Sequence, residues 1–355
     1  MRALPVALVA ATSLIAPPAA AQDAVPGAVQ VFADWAVGCD NVRDCEAQAL
    51  ATEGEEVPAF VTVSRRAGAG GQPTIAIPFA AGRRPIALLV DGKRWPQPLR
   101  IEDDQVRFGA VATDLLLPVL LKADRIELMD VQGIVVGRAS LTGISAALKY
   151  TDEAQGRTGT PTAIVDKGDR PAIEVPRRAM PAPIAIPVAT RTAPPDRLSA
   201  GSVRTLRETN ACEAGPDAAP PEESWFRIDE RHTLLLLSCG GGANNRSALP
   251  FIVTNGGRKK GLAADYARFD HPTGYTAEHG QTLLPNPEWD KDAGTITSRI
   301  VGSPSGDCGS SQRFAWDGEA FRLIEQRAMS TCRGSLQWIR VWTVPTAVPN
   351  ALTGR

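Results

Sequence analysis

The residues of this chain best suited to covalent chemistry are its six cysteines. An even number of cysteines suits complete pairing in an oxidising compartment, whereas a free thiolate suits nucleophilic or redox catalysis. Short loop closure favours partners that are neighbours in the sequence. We therefore predict the disulfides Cys39–Cys45, Cys212–Cys239 and Cys308–Cys332, with the sulfurs in a structural role.

Two catalytic uses of these cysteines compete with the structural one. Cys308 lies in a Gly-Asp-Cys-Gly-Ser sequence like the nucleophile loop of chymotrypsin-like proteases, and His232 precedes it in the order that those proteases use. A nucleophilic Cys308 would leave Cys332 without a partner, so the disulfide is favoured. Cys39 and Cys45 are separated by five residues, unlike the closely spaced thiols of a redox Cys-X-X-Cys motif.

Carboxylates that alternate along the chain suggest a calcium site, and they are Glu288, Asp290 and Asp292. The glycine and the distal glutamate of a calcium loop are replaced by Ala293 and Arg299, so we expect a solvated hairpin here. The three histidines form no zinc-binding motif; they are His232, His271 and His279. We therefore predict neither a metal site nor a cofactor.

One aromatic residue is a candidate for contact with a ligand. Trp95 follows a tight turn at Asp91–Gly92 and lies between Arg94 and Pro96. Such a tryptophan can bind a peptide or a glycan, although packing of a loop against the core is the favoured role. The glycine run after Cys239 lacks the lysine of a phosphate-binding loop, and a turn explains it.

Residues 1–21 have the features of a secretory signal peptide. Arg2 precedes an apolar run, and the alanines at 19–21 provide a cleavage site before Gln22. The run is too short and too interrupted by prolines to span a bilayer. We therefore expect an exported, periplasmic protein with no membrane span.

The balance of charge argues against nucleic acid as a partner. Lysine and arginine number 38 against 39 aspartates and glutamates, which gives a formal net charge of −1. Affinity for nucleic acid comes largely from neutralising phosphates, and a balanced chain has little excess charge to do so. We expect the partner to be an envelope protein, a peptide or a glycan.

The elements that must position these residues begin with a domain at 28–165. It contains alternating strand patterns, with a tight hairpin turn at Asp91–Gly92. Two apolar helix patterns begin at Thr113 or Asp114 and at Thr142. Together they predict an α+β fold, in which two helices cover one face of an antiparallel sheet.

Two further segments follow this domain. Spaced prolines in 166–198 predict a semi-rigid linker, and 162–165 can form a last edge strand before it. Residues 199–345 have short strands separated by turn signals, which is typical of a sandwich, a barrel-like sheet or a meander. We therefore predict a mainly antiparallel β domain that holds the later disulfides.

Several segments resemble those of a bacterial domain-of-unknown-function family, number 1176. They are Phe32–Ala47, Ser145–Arg157, Gly306–Gly309, Trp316–Leu323 and Cys332–Gly334. The first domain is also distantly similar to invasion-associated locus B proteins, which are exported and contain cysteines. The resemblance implies a periplasmic protein of uncharacterised role, and it transfers no catalytic residue to this chain.

These features favour a non-enzymatic binding or envelope-interaction module. The alternative is a hydrolase that acts on peptidoglycan, a glycan or a peptide of the envelope. Paired carboxylates or a histidine base in a cleft would favour the hydrolase. A shallow surface lined by aromatic and arginine side chains, with every sulfur bridged, would favour the binding module.

Overall fold

The computed structural model of the chain describes residues 24–80, 82–187, 193–212, 222–257, 261–276 and 280–347. In those residues 24 strands far outnumber three α-helices, so the chain is mostly β and the predicted α+β class is wrong. Each apolar helix pattern of the first domain accounts for only one helix of 11 residues, whereas antiparallel ladders occupy most of both halves. The predicted signal peptide (1–21) and His279 lie outside the described residues.

The N-terminal half contains two antiparallel sheets. In chain order its strands are β1 (Gln30–Phe32), β2 (Trp35–Cys39), β3 (Cys45–Ala49), β4 (Thr62–Arg65), β5 (Pro73–Pro78), β6 (Ala87–Val90), β7 (Lys93–Arg94), β8 (Arg100–Glu102), β9 (Gln105–Phe108), β10 (Arg125–Met129) and β11 (Val135–Ser140). One sheet has the order β1-β2-β3-β4-β5-β9-β8 and the other β11-β10-β6-β7. Asp91 and Gly92 both have positive φ and form the predicted tight turn between β6 and β7.

Two helices, α1 (Ala110–Leu120) and α2 (Ile144–Ala154), pack on the core of this half. α1 begins at Ala110, before the predicted start at Thr113 or Asp114, and the Thr113 hydroxyl donates to the Phe108 carbonyl at 2.9 Å. α2 begins after Gly143, which has a left-handed φ of 99°. A Cβ at Gly143 would lie 2.0 Å from the carbonyl oxygen of Phe32, so only glycine fits here.

Residues 166–187, which belong to the expected linker, form a strap along the surface. A short 3-10 turn (Ala172–Glu174) is followed by β12 (Ile184–Ala185). β12 forms a parallel pair with Thr346 and Ala347, near the end of the chain. Arg178 in the strap forms an ion pair with Asp44 at 2.9 Å. The strap is therefore fixed at more than one point, which a freely solvated linker would not be.

The C-terminal half begins with α3 (Ala200–Thr209) and continues as strands. They are β13 (Glu223–Arg227), β14 (His232–Gly241), β15 (Arg246–Asn255), β16 (Leu262–Tyr266), β17 (Tyr275–Thr276), β18 (Thr282–Pro285), β19 (Glu288–Asp290), β20 (Thr295–Val301), β21 (Gly309–Trp316), β22 (Phe321–Met329), β23 (Ile339–Thr343) and β24 (Thr346–Ala347). One sheet has the order β13-β14-β15-β18-β17, with β16 beside β15, and the other has the order β19-β20-β21-β22-β23.

The two sheets of this half share a buried apolar core. Leu234 and Ile252 come from the first sheet, and Phe314 and Phe321 come from the second. Side chains that alternate along each strand can fill one common core in this way, which is the packing of a β-sandwich. On the other face of the first sheet, Val203 of α3 packs in a separate cluster.

The two halves meet in a third buried cluster, to which both contribute. Ala36 and Leu50 of the N-terminal half pack there with Trp338, Ile339 and Val341 of the C-terminal half. Arg333 and Arg340 add ion pairs across the junction, to Asp34 and Asp40 respectively. In the described part of the chain, no helix is long and apolar enough to cross a membrane.

Candidate functional site

The six sulfurs form three disulfides, Cys39–Cys45, Cys212–Cys239 and Cys308–Cys332. A bonded sulfur is neither a nucleophile nor a metal ligand, so Cys308 offers no catalytic thiol in this state. Nor do Cys39 and Cys45 form a free dithiol. His232, the base that a Cys308 protease would need, forms a hydrogen bond with Asp229 through Nδ1.

The loop around Cys308 has a structural role through its aspartate. Asp307 accepts hydrogen bonds from the hydroxyls of Ser303 and Ser305 and from the backbone N–H of Gly334. Burial raises the pKa of Asp307, but these donors outweigh burial and lower the pKa to about 2. The charged carboxylate thus joins the Cys308 loop to the Cys332 loop, which the disulfide also connects.

The acidic hairpin and the glycine run are both turns in the structure. Asp290 Oδ1 accepts the backbone N–H groups of Asp292 and Ala293, each at 2.9 Å, at the turn between β19 and β20. The N–H of Gly242 donates to the Asn245 carbonyl at 2.7 Å, at the turn between β14 and β15. Both segments therefore have a local structural explanation.

Trp95 lines a groove of about 460 Å³ in the N-terminal half. The groove lies beside two sheet edges, because β7 ends one sheet, β8 ends the other, and Trp95–Leu99 joins them. Its charged lining residues are Arg84 and Arg94, and none of the described residues that line it is acidic. The other lining residues are Pro85, Ile86, Pro96, Gln97, Pro98, Leu99 and Ile101.

Trp95 itself is half-buried and packs against the N-terminal core. Its backbone N–H donates to the Leu88 carbonyl at 2.8 Å, which fixes the chain at this point. Its indole Nε1 is buried and has no acceptor among the described residues. By contrast, Trp35 Nε1 in the same core donates to the Ser140 carbonyl at 3.1 Å. Trp95 thus combines a packing role with an unpaired donor.

A second cavity, of about 470 Å³, lies in the C-terminal half where its two sheets meet. His232 and Thr254 contribute from paired positions on β14 and β15, and Trp316 contributes from β21 of the other sheet. The remaining lining residues are Ile252, Asp265, Tyr266, Arg268, Gly318 and Glu319. The cavity therefore combines a histidine, aromatic rings and charges of both signs.

The histidine of this cavity is oriented by a carboxylate. His232 Nδ1 lies 2.7 Å from Asp229 Oδ2, and that oxygen also accepts the Trp316 indole N–H at 2.7 Å. Asp229 Oδ1 accepts the backbone N–H groups of Arg231 and His232, each at 2.8 Å. Burial raises the pKa of Asp229, but the bonds from Trp316 and His232 outweigh it and hold the pKa below its usual value.

A third charged cluster, the sealed cluster, has its charged side chains buried in the N-terminal half, and no motif in the sequence marks it as a unit. Asp152 Oδ1 pairs with Arg65 at 3.2 Å, and Asp152 Oδ2 accepts the N–H groups of Ile164 and Val165. Because Asp152 takes these donors, the edge strand expected at 162–165 does not form. Arg157, which is fully buried, completes the cluster.

Arg157 and Arg65 connect this cluster to the neighbouring loop. Arg157 donates to the carbonyls of Gly68 and Gly71, and Arg65 also donates to the Gly71 carbonyl. Burial and the nearby Arg157 lower the pKa of Arg65 to about 10. Burial likewise raises the pKa of Asp152 above its usual value. The cluster has partners on all sides and reads as a scaffold.

A mostly β, disulfide-bonded fold is thus the class of protein that the structure defines. The family model described as "Protein of unknown function (DUF1176)" matches residues 29–345, so the chain belongs to that family. The chain is similar to "Uncharacterized protein YpfG" of Escherichia coli (strain K12), with 29% identity over 339 residues that cover 89% of this chain and 92% of that protein. No solved structure matches the chain. The likeness to invasion-associated locus B proteins is not shown by these comparisons.

Proposed function

We propose that the chain is an exported, periplasmic binding module that engages a component of the cell envelope through the Trp95 groove. The signal-peptide pattern of residues 1–21 supports export. The three disulfides support it as well, because such bonds persist in oxidising compartments and are rare in the cytosol. N-terminal sequencing of the protein recovered from the periplasm tests this step, and Gln22 is the expected first residue.

The observation that carries the binding proposal is the lining of the groove. Trp95 offers an aromatic surface, and Arg84 and Arg94 add positive charge with no acidic residue among the lining. Arginine and tryptophan are the residue types that dominate binding hot spots. The preferred ligand therefore combines apolar groups with negative charge.

The edges of two sheets beside the groove make an extended peptide the best fit. β7 and β8 are both edge strands, and an edge strand can hydrogen-bond an added strand. Pro96 and Pro98 have no backbone N–H that could pair with the backbone of a peptide. At these positions the groove can therefore contact the side chains of the peptide. We therefore assign an acidic, extended peptide segment of an envelope protein as the partner.

A matched pair of peptides tests this assignment. Fluorescence anisotropy compares a labelled eight-residue peptide of alternating valine and glutamate with the same peptide carrying lysine in place of glutamate. We expect the acidic peptide to bind and the basic one not to bind, because of Arg84 and Arg94. Equal affinity for the two peptides would contradict the proposal.

Variants of the groove then locate the binding. Arg94→Glu should weaken binding of the acidic peptide at least about tenfold, since charge complementarity becomes repulsion. Trp95→Ala should weaken it similarly by removing the aromatic surface. Arg204→Glu on α3 is the matched control, because Arg204 is exposed and lies in the other half. If Arg204→Glu weakens binding as much as Arg94→Glu, the attraction comes from overall charge and not from the groove.

A second candidate function is a hydrolase of an envelope polymer. One observation favours it, namely the His232–Asp229 pair at the wall of the C-terminal cavity. Thiol chemistry gives no support, since every cysteine is bridged. The two candidates use different halves of the chain, so each can be tested without the other.

A further inference from the structure

We propose that His232 is the general base of an ester-hydrolysing site in the C-terminal cavity, and that its substrate is an acyl ester on a neutral polyol such as an O-acetylated sugar. The inference deepens the second candidate function and is independent of the Trp95 groove. It rests on the juxtaposition of an oriented histidine, a cavity and a set of polar side chains suited to hydroxyl groups.

The first step of the argument is the tautomer of His232. Asp229 accepts from His232 Nδ1 at 2.7 Å and also from Trp316, Arg231 and the backbone of His232. A carboxylate so bonded stays ionised, and it places the imidazole proton on Nδ1. Nε2 then carries the lone pair, and it has no hydrogen-bond partner among the described residues.

The second step is the position of the ring. His232 lines the cavity, its side chain is 20% exposed, and its ring meets the Trp316 ring edge-on at 5.5 Å. Trp316 is buried, so it limits the movement of the imidazole on one side. A base that is fixed by its neighbours and open to a cavity satisfies the geometric requirement for proton transfer.

The third step is the class of substrate. Asp265, Arg268 and Glu319 line the cavity, so its charged groups other than the histidine sum to a net negative charge and disfavour an anionic ligand. Carboxylates can accept hydrogen bonds from hydroxyl groups, and a guanidinium can donate hydrogen bonds to them. These contacts suit a neutral molecule rich in hydroxyl groups.

The reaction needs only water as the second reactant. His232 Nε2 removes a proton from water as the water oxygen forms a bond to the acyl carbon. The ester C–O bond then breaks, and the proton on Nε2 passes to the departing alcohol oxygen. The products are a carboxylic acid and a free hydroxyl group, and His232 returns to its starting state. Arg268, whose Nη2 donates to the Glu319 carbonyl at 3.1 Å, is the cation available to the carbonyl oxygen.

An ester fits this site better than an amide or a glycoside. A positioned general base contributes about 10² to 10⁴ in rate, which is useful for an ester with its comparatively good leaving group. Thiol attack is excluded because Cys308 is bridged to Cys332. Glycoside cleavage calls for two converging carboxylates with distinct protonation states, whereas Asp265 and Glu319 are both exposed.

The test measures acetate released from acetylated xylo-oligosaccharide by the purified full chain. We expect His232→Gln to lower the rate at least about 100-fold, because the base is lost. His271→Gln is the matched control, since His271 lies outside the cavity and contacts the Ala24 carbonyl. The proposal is overturned if the unaltered chain releases no acetate above the buffer rate, or if the two variants hydrolyse at equal rates.

The split between kcat and KM separates catalysis from a merely structural role. His232→Gln and Asp229→Asn should both lower kcat and leave KM nearly unchanged, because the base and the carboxylate that orients it act on the attacking water and not on substrate binding. An unchanged kcat in Asp229→Asn would contradict the positioning role of Asp229. Trp95→Ala should hydrolyse normally, so failure of the groove and failure of this site give different results.

Discussion

Asp152 in the N-terminal half and Asp229 in the C-terminal half hold similar sets of donors, yet the arginine paired with Asp152 is buried, whereas the histidine paired with Asp229 is partly exposed at a cavity. Each carboxylate accepts two backbone N–H groups and at least one side chain. Asp152 is enclosed with Arg65 and Arg157, which are also buried. Asp229 instead orients His232, which lines the cavity.

The difference shows that the same hydrogen-bonding chemistry can serve a scaffold or a candidate reaction site. In the sealed cluster every charge has its partner inside the protein, so no capacity remains for a ligand. In the open cluster the carboxylate is satisfied, but the group that it orients retains a free nitrogen towards the cavity. Exposure of the partner, and not of the carboxylate, distinguishes the two.

The largest effect should come from Asp152→Ala in the sealed cluster. The variant leaves Arg65 and Arg157 buried without their carboxylate, which we expect to lower the free energy of unfolding by about 3–5 kcal/mol. Urea unfolding followed by circular dichroism measures the change. Asp166→Ala is the control, because Asp166 forms an exposed ion pair with Lys149 and its loss should leave the midpoint nearly unchanged. A similar midpoint for both variants would show that the cluster is not a scaffold.

A smaller loss should follow from Asp229→Ala in the open cluster. The buried indole N–H of Trp316 loses its acceptor, and a buried unpaired donor destabilises by about 1–3 kcal/mol. No buried arginine is left uncompensated there, so the loss should be below that of Asp152→Ala in the same urea experiment. A loss equal to or larger than that of Asp152→Ala would remove the distinction between the clusters.

The stability that depends on Asp229 and the stability that depends on Asp152 should change in opposite directions with pH. Asp229 has a pKa below its usual value of 3.8, so its stabilisation is present above that pH and is lost as the pH falls through the lowered pKa. Asp152 has a raised pKa, so the pH-dependent part of its contribution is fully present below 3.8 and is lost as the pH rises through the raised pKa, while its pairing with the buried arginines remains.

The measurement is urea unfolding of the unaltered chain, Asp229→Asn and Asp152→Asn between about pH 6 and pH 3. The stability difference between the unaltered chain and Asp229→Asn should shrink towards acid. The stability difference between the unaltered chain and Asp152→Asn should instead shift in favour of the unaltered chain as the pH falls. Parallel changes in the two variants would show that both carboxylates respond to the same environment.

The sequence predicts local features of this molecule better than its clusters. The turn at Asp91–Gly92 follows from two residues that adopt positive φ, and the apolar face of α2 follows from the spacing of Ile144, Ala147 and Leu148. The predicted α+β class is wrong because two clear helix patterns do not indicate how much of the remaining chain pairs into sheets. Pairing depends on partners distant in the sequence.

The candidate sites likewise combine local features that the sequence predicts with contacts that depend on folding. Trp95 stood out as a residue after a turn, and the structure adds Arg84, which is distant from it in the sequence, to the same groove. In the sequence His232 is a candidate base for Cys308 and belongs to no zinc motif, although Asp229 lies only three residues before it. The carboxylate–histidine pair has a local signal, but the Trp316 contact and the cavity depend on the packing of two sheets.

The smallest expected effect on stability, and the most discriminating, is that of His232→Gln. Glutamine can still donate to Asp229, and the replaced ring is 20% exposed, so we expect a loss below about 1 kcal/mol. The matched variant in the sealed cluster is Arg157→Gln, which removes donors to Gly68 and Gly71 from a fully buried side chain and should cost several times more. Urea midpoints measured side by side give the ratio. A small loss at His232 means that the fold does not need the imidazole, so the close fit of Asp229 and Trp316 around it serves its orientation. An equally large loss at both positions would instead make the histidine a structural cap of its hairpin.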